Sequence, residues 1–183
     1  MTEQAQESSF PEVIESRRVH DGFLGLRVDR LRFADGRESV QDVIEHPGGI
    51  TLVAFDPDGK LLMVRQYRHP AGRYLLELPA GTLDPNETPE VCAERELQEE
   101  TGYRPGHLRK LGSFYLAPGY DAEYQHVFYA SELTESKLDG DEETLSLERH
   151  DLEEVLEMVA DGRIEDAKTS AALLLYMRLV ADS

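Results

Sequence analysis

The sequence predicts an α/β (α+β) fold, a mixed β-sheet between layers of helix with antiparallel strands at its N-terminal side. Three observations carry this expectation. Alternating and apolar runs of strand length fill the first half of the chain. A glutamate-rich helix interrupts them near residue 90, and the closing segments carry helical periodicity. At 183 residues the chain can bury one core of ordinary size.

Residues 1–10 are polar and expected to be disordered. Residues 11–46 form a region of antiparallel strands, with Phe23, Leu24, Leu26, Val28, Leu31 and Phe33 as apolar positions and turns at Asp21-Gly22 and Asp35-Gly36. Residues 47–183 form the main domain, opened by the breaker Gly48-Gly49. Ile50 to Phe55 is an apolar strand, Asp56-Pro57-Asp58-Gly59 a tight turn, and Leu61 to Tyr67 its hairpin partner. Short strands are expected at Tyr74 to Leu78, Leu108 to Tyr115 and Glu123 to Ala130. Residues 131–143 read as a loop, with a short strand around Leu145 to Leu147. Asp151 with Glu154 three residues later reads as a capping box for the helix LEEVLEMVA. A last helix from about Glu165 to Val180 is apolar at Ala167, Ala171, Leu174, Leu175 and Leu179, widened by Ala172 and Met177, so much of it is expected to be buried.

The central stretch is GTLDPNETPEVCAERELQEETGY, residues 81–103. Thr88 suits an N-cap, Pro89 the first helical turn, and Gly102 a left-handed C-terminal stop. Glu96, Glu99 and Glu100 stand three and four apart and project from one face. Crowded carboxylates repel, and divalent cations remove the conflict; oxygen donors suit Mg²⁺ or Mn²⁺. Ala93 and Leu97 supply an apolar stripe for docking, and Arg95 can pair with Glu87 or a helix neighbour. Any one of these glutamates reads more simply as a solvated side chain. The set does not.

Composition excludes several classes. The net charge of −18 repels nucleic acid. No apolar run approaches membrane-spanning length, and MTEQAQESSF lacks signal-peptide character, so a cytoplasmic protein is expected. The single Cys92 excludes an internal disulfide and any multi-cysteine metal site, and reads as a small, partly buried side chain. The six histidines are scattered, with no pair at metal-ligand spacing on a helix.

The pattern G-x5-E-x7-R-E-U-x-E-E-x-G-U, with U apolar, holds at Gly81, Glu87, Arg95, Glu96, Glu99, Glu100 and Gly102. Seven such matches by chance come to roughly 10⁻⁸ per window. The stretch resembles the box of the Nudix hydrolases, with Tyr103 an aromatic where an aliphatic is usual. Arg65-Gln66-Tyr67-Arg68 before LLELPAG, and APGYDAE after the box, resemble the ADP-ribose pyrophosphatase branch.

The resemblance implies a Nudix-type α/β/α sandwich and hydrolysis of the pyrophosphate bond of ADP-ribose, or a related nucleoside diphosphate sugar, to AMP and ribose 5-phosphate. Another nucleotide sugar or a dinucleotide keeps the same chemistry; a non-catalytic ADP-ribose sensor is a different class. It further implies two or more Mg²⁺ or Mn²⁺ ions on the Ala80 carbonyl and on Glu96, Glu99 and Glu100. Arg68, Glu77, Pro118, Gly119 and Glu123 would face substrate, although Glu77 equally suits a structural ion pair. Glu99 and Glu100, with an acid from 139–143 (Glu143 or Glu142, less so Asp141), would serve catalysis. Gly81, Glu87, Arg95 and Gly102 would shape the motif. The branch also implies a homodimer through the N-terminal strands, which look too apolar to stand alone.

Overall fold

A computed structural model of the chain describes residues 10–138 and 145–181. It contains two compact units: the chain up to His46 with Ala117–Glu123, and Pro47–Leu116 with the chain from Tyr124 onward.

In the first unit, β1 (Glu12–Asp21), β2 (Gly25–Arg32) and β3 (Glu38–Glu45) form an antiparallel meander. Its second turn is tight because Gly36 takes φ 84° and donates to the Phe33 carbonyl at 2.9 Å. The buried carboxylate of Asp29 is satisfied by Ser16 Oγ at 2.6 Å and Arg27 Nε at 2.9 Å. Val13, Val19, Phe23 and Val40 are exposed. The segment 117–123 joins this unit through Ile44, whose N–H donates to the Tyr120 carbonyl at 2.8 Å and whose carbonyl accepts from Ala122 at 3.0 Å.

The second unit begins with β4 (Gly49–Ala54), buried at every position, followed by β5 (Leu61–Arg68) and, after a single helical turn at His69–Ala71, β6 (Arg73–Glu77). Next come β7 (Ala80–Thr82), helix α1 (Pro89–Thr101), β8 (Tyr103–Arg104), β9 (His107–Tyr115) and β10 (Tyr124–Ser131). The chain continues with β11 (Thr134–Glu135), β12 (Leu145–His150), α2 (Leu152–Ala160) and α3 (Ala167–Tyr176), which runs into a π-helical turn at Met177–Ala181.

One sheet has the order β7-β4-β10-β9 and is mixed, since β4 and β10 run parallel and the other pairs antiparallel. A second, antiparallel sheet has the order β12-β5-β6, and β8 and β11 pair separately. The period of two along β4 divides the core. Ile50, Leu52 and Ala54 pack with Phe128 against Cys92, Ala93 and Leu97 of α1. Val53 belongs to the other cluster, with Met63, Leu76, Val127, Val155, Met158, Ala172 and Leu173. The sheet layer thus lies between α1 and the pair α2 and α3, the expected mixed sandwich.

Four expectations are corrected. The strands flanking Asp56-Pro57-Asp58-Gly59 share only the bridge Phe55–Leu61 and then enter different sheets. A strand buried on both faces needs neighbours on both edges, and β7 and β10 take those of β4. Asp151 stands at the N-cap of α2 without a capping bond, because Lys60 Nζ holds both its oxygens at 2.8 Å. Glu154 lies at 3.2 Å from His150 Nδ1. The last helix buries Lys168, Thr169, Ala172 and Leu173, while Leu174 is 64% and Leu179 41% exposed. The segment after residue 130 includes β11, paired with β8, and β12 is longer than the expected short strand.

Candidate active site

Helix α1 is built as its sequence dictates. Thr88 Oγ1 accepts from Val91 N at 3.4 Å, Pro89 opens the first turn, and Gly102 closes the last at φ 77°. Ala93 and Leu97 are fully buried against the sheet. That anchors one side of the helix and leaves Glu96 and Glu100 against β7, with Glu99 on Arg95.

Arg95 organises the acids. Its Nε and Nη2 lie at 2.9 Å from Glu87 Oε1 and Oε2, and Nη1 donates to Glu96 Oε1 at 2.7 Å and Glu99 Oε2 at 3.0 Å. Nη2 also reaches the Thr82 carbonyl at 3.3 Å. Glu87 Oε2 accepts from Asp84 N at 3.0 Å, which closes the loop before the helix. The Arg95 guanidinium, more than burial can oppose, brings the Glu87 carboxyl down to about 2. The Cys92 thiol is buried and pushed up, chiefly by desolvation and then by the charges of Glu87 and Glu96. It donates to the Thr82 carbonyl at 3.5 Å, the behaviour of a packing residue.

Strand β7 brings its backbone to the acids. Thr51 pairs with Ala80 and Ile50 with Gly81, and Ala80 N donates to Glu100 Oε2 at 3.0 Å. A β-carbon built on Gly81 would overlap the carboxyl group and Cγ of Glu96. Gly81 is therefore the residue that allows Glu96 to lie on the strand.

Arg68 and Glu77, from β5 and β6, form a fork: Nε to Oε1 at 2.8 Å and Nη2 to Oε2 at 2.7 Å. Glu77 is 1% exposed, and both its oxygens accept from Arg68. Arg68 is half-buried, close enough to feel the charge of Glu100, and among the described residues its Nη1 has no hydrogen-bond partner. Lys168 Nζ also donates to Glu77 Oε2. Sequence reasoning passed over Lys168; its signal is a lysine in step with Ala172 on the buried face of an apolar helix.

Pro118 and Gly119 stand in an exposed turn of the N-terminal unit, and Glu123 at its end, where its N–H donates to Asp121 Oδ1 at 2.9 Å. Asp141, Glu142 and Glu143 lie outside the described residues. His126 Nδ1 lies at 3.1 Å from both Lys110 Nζ and Ser113 Oγ, a structural arrangement. No helix among the described residues is long and apolar enough to cross a membrane.

The donor set fits a divalent cation. Its side-chain donors are carboxylate oxygens, the hard ligands that Mg²⁺ and Mn²⁺ take. Glu96 and Glu100 are 9% and 8% exposed on one face; Arg95 offsets the charge of Glu96, and a divalent cation would offset what repulsion is left. Gly81 keeps clear the space a side chain would take from Glu96. Among the described residues no three His, Cys, Asp or Glu side chains converge as a cage. Backbone oxygen, water and substrate phosphate would complete the shell, as is usual for Mg²⁺.

The model of the NUDIX domain matches residues 45–173, most of the chain. The chain belongs to the Nudix hydrolase family. One relative, the ADP-ribose pyrophosphatase of Bacillus subtilis (strain 168), is 39% identical over 159 residues, 85% of each chain. Another, the methanol dehydrogenase activator of Bacillus methanolicus, is 35% identical over 171 residues, 91% of each. A crystal structure of an ADP compounds hydrolase superposes with a TM-score of 0.84 at 25% identity, covering 94% of this chain and 95% of that one. The matched residues include α1 and its partner strand β7.

Proposed function

We propose that this Nudix hydrolase cleaves the pyrophosphate bond of ADP-ribose, giving AMP and ribose 5-phosphate, with Mg²⁺ or Mn²⁺ as cofactor. The observation that carries the reading is the arrangement of the box acids at β7: Arg95 holds Glu87, Glu96 and Glu99, Ala80 N donates to Glu100, and Gly81 leaves room for Glu96. The similarity to relatives named for ADP-ribose and ADP compounds supports the choice of substrate.

Glu96, Glu99, Glu100 and the Ala80 carbonyl would hold two or more ions. Bound there, the ions would neutralise the bridging phosphates and lower the pKa of water. The chain's own part is positional. Arg68, held by Glu77, offers Nη1 to a phosphate oxygen and offsets the repulsion of a chain with net charge −18. Glu99 or Glu100, or an acid from 139–143, accepts the proton of the attacking water. Water attacks one phosphorus in line; the bond from that phosphorus to the bridging oxygen breaks, and its electron pair leaves with the other phosphate.

Product analysis on a panel of nucleoside diphosphate sugars and dinucleotides with Mg²⁺ tests this, comparing wild type with Glu100→Gln. AMP and ribose 5-phosphate from ADP-ribose, falling about 10²–10⁴-fold in the variant, is the expected result. Faster turnover of another compound would retain the chemistry and replace the substrate. Binding of ADP-ribose without turnover of any compound would make the chain a sensor, a reading its intact box disfavours.

The chain is further read as a homodimer formed through the N-terminal strands, on the support of the exposed Val13, Val19, Phe23 and Val40. A monomer in sedimentation at micromolar concentration would overturn this.

A further inference from the structure

Beneath Arg68 lies a charge network that the box does not include. Glu77, almost wholly buried, receives two cations: Arg68 through its fork and Lys168 through Nζ. Lys168, itself buried, also donates to Asp166 Oδ1 at 3.0 Å. Asp166 caps α3 by accepting from Thr169 N at 2.9 Å and Thr169 Oγ1 at 2.5 Å. Thr169 Oγ1 accepts in turn from Leu78 N, at 2.9 Å, one residue beyond Glu77. Two carboxylates and two cations are thus balanced, and the start of α3 is tied to the strand that presents Glu77.

Such a network is poorly explained by stability alone. Buried ion pairs often match or fall short of apolar residues of the same volume, because desolvation offsets their attraction. Lys168 occupies a face shared with Ala172, where Leu or Met would pack. Its ammonium does something a methyl group would not. It shares Glu77 Oε2 with Arg68 Nη2, so the one carboxylate is divided between two cations. Without it, two carboxylates would face one guanidinium and draw its charge inward, away from an anionic ligand.

We propose that Lys168 is a positioning residue: by sharing Glu77 with Arg68, it holds the Arg68 guanidinium so that Nη1 is left for a substrate phosphate. This rests on the reading of Arg68 as the phosphate contact. Lys168 touches no substrate itself.

The test is steady-state kinetics with ADP-ribose and Mg²⁺ on Lys168→Met, Lys168→Arg, Arg68→Gln and the double variant Lys168→Met with Arg68→Gln, with thermal melting of each. The expected result is a KM raised about ten-fold in Lys168→Met, with kcat within about three-fold. Lys168→Arg recovers most of the loss. In the Arg68→Gln background Lys168→Met changes KM no further, because the effect passes through Arg68. Should Lys168→Met not fold, Lys168→Gln, which keeps a donor without the charge, reads the same change in KM. A lower melting temperature with unchanged KM would overturn the proposal, as would effects that multiply in the double variant. An unchanged KM in Arg68→Gln alone would overturn it at its base, by removing the phosphate role from Arg68.

Discussion

Arg95 and Glu87 meet edge to edge, with both nitrogen–oxygen distances at 2.9 Å, while the far nitrogen of the same guanidinium holds Glu96 and Glu99. One side chain therefore couples the loop before α1 to the acids on it. Glu87 is ionised in the fold down to about 2, against an ordinary value of 4.5. Its contribution to stability is complete above about pH 4.5 and is lost as pH falls toward 2. Glu87→Gln is expected to cost on the order of 2 kcal/mol at neutral pH. It should also flatten the fall in stability between those two pH values. Urea unfolding of both proteins at pH 7, 4 and 3 checks it; parallel curves across that range would refute it.

Gly81 and Glu96 cannot both keep their places if a methyl group is added. Gly81→Ala is expected to displace the Glu96 carboxylate, reduce turnover by at least about ten-fold and cost about 1–3 kcal/mol. The additional readout is Mn²⁺ binding by calorimetry, which should weaken in the variant. Unaltered Mn²⁺ affinity would show that Glu96 can move without consequence.

Cys92 is buried, and its thiol is pushed up by desolvation and neighbouring carboxylates. The native protein at pH 8 should not react with a chromogenic disulfide reagent, and one equivalent should react after denaturation. Rapid labelling of the native protein would contradict the packing at β7.

Leu173 and Leu174 are adjacent in sequence and opposite in environment, 1% and 64% exposed. Leu173→Ala should cost about 2–5 kcal/mol, and Leu174→Ala no more than about 0.5 kcal/mol. Comparable losses for the two, measured by chemical denaturation, would restore the broad buried face that apolar periodicity suggests.

Much of the second unit was legible because its signals are local. The Thr88 cap, Pro89 and the Gly102 stop act within a turn of helix, and a three-and-four spacing puts Glu96, Glu99 and Glu100 on one face whatever surrounds them. The pairing of Arg95 with Glu87 was readable because charge and proximity along the chain coincide. The partners of Ile50 to Phe55 were not. A tight turn implies a hairpin, yet a fully buried strand must pair on both edges, and its neighbours come from residues 80 to 82 and 124 to 131. Asp151 has the sequence of a cap, but a lysine 91 residues earlier takes both its oxygens.

By itself, the sequence determined the box: which residue types are present, their spacing, the helix that displays them and the family they belong to. Each of these depends on covalent distance along the chain and on the period of the helix. Only the tertiary structure decided that Gly81 makes room for Glu96, that Glu77 pairs with Arg68, and that Lys168 also pairs with Glu77. Those relationships join residues from separate strands and helices. Their geometry follows from how the sheets and helices pack, which no local pattern records.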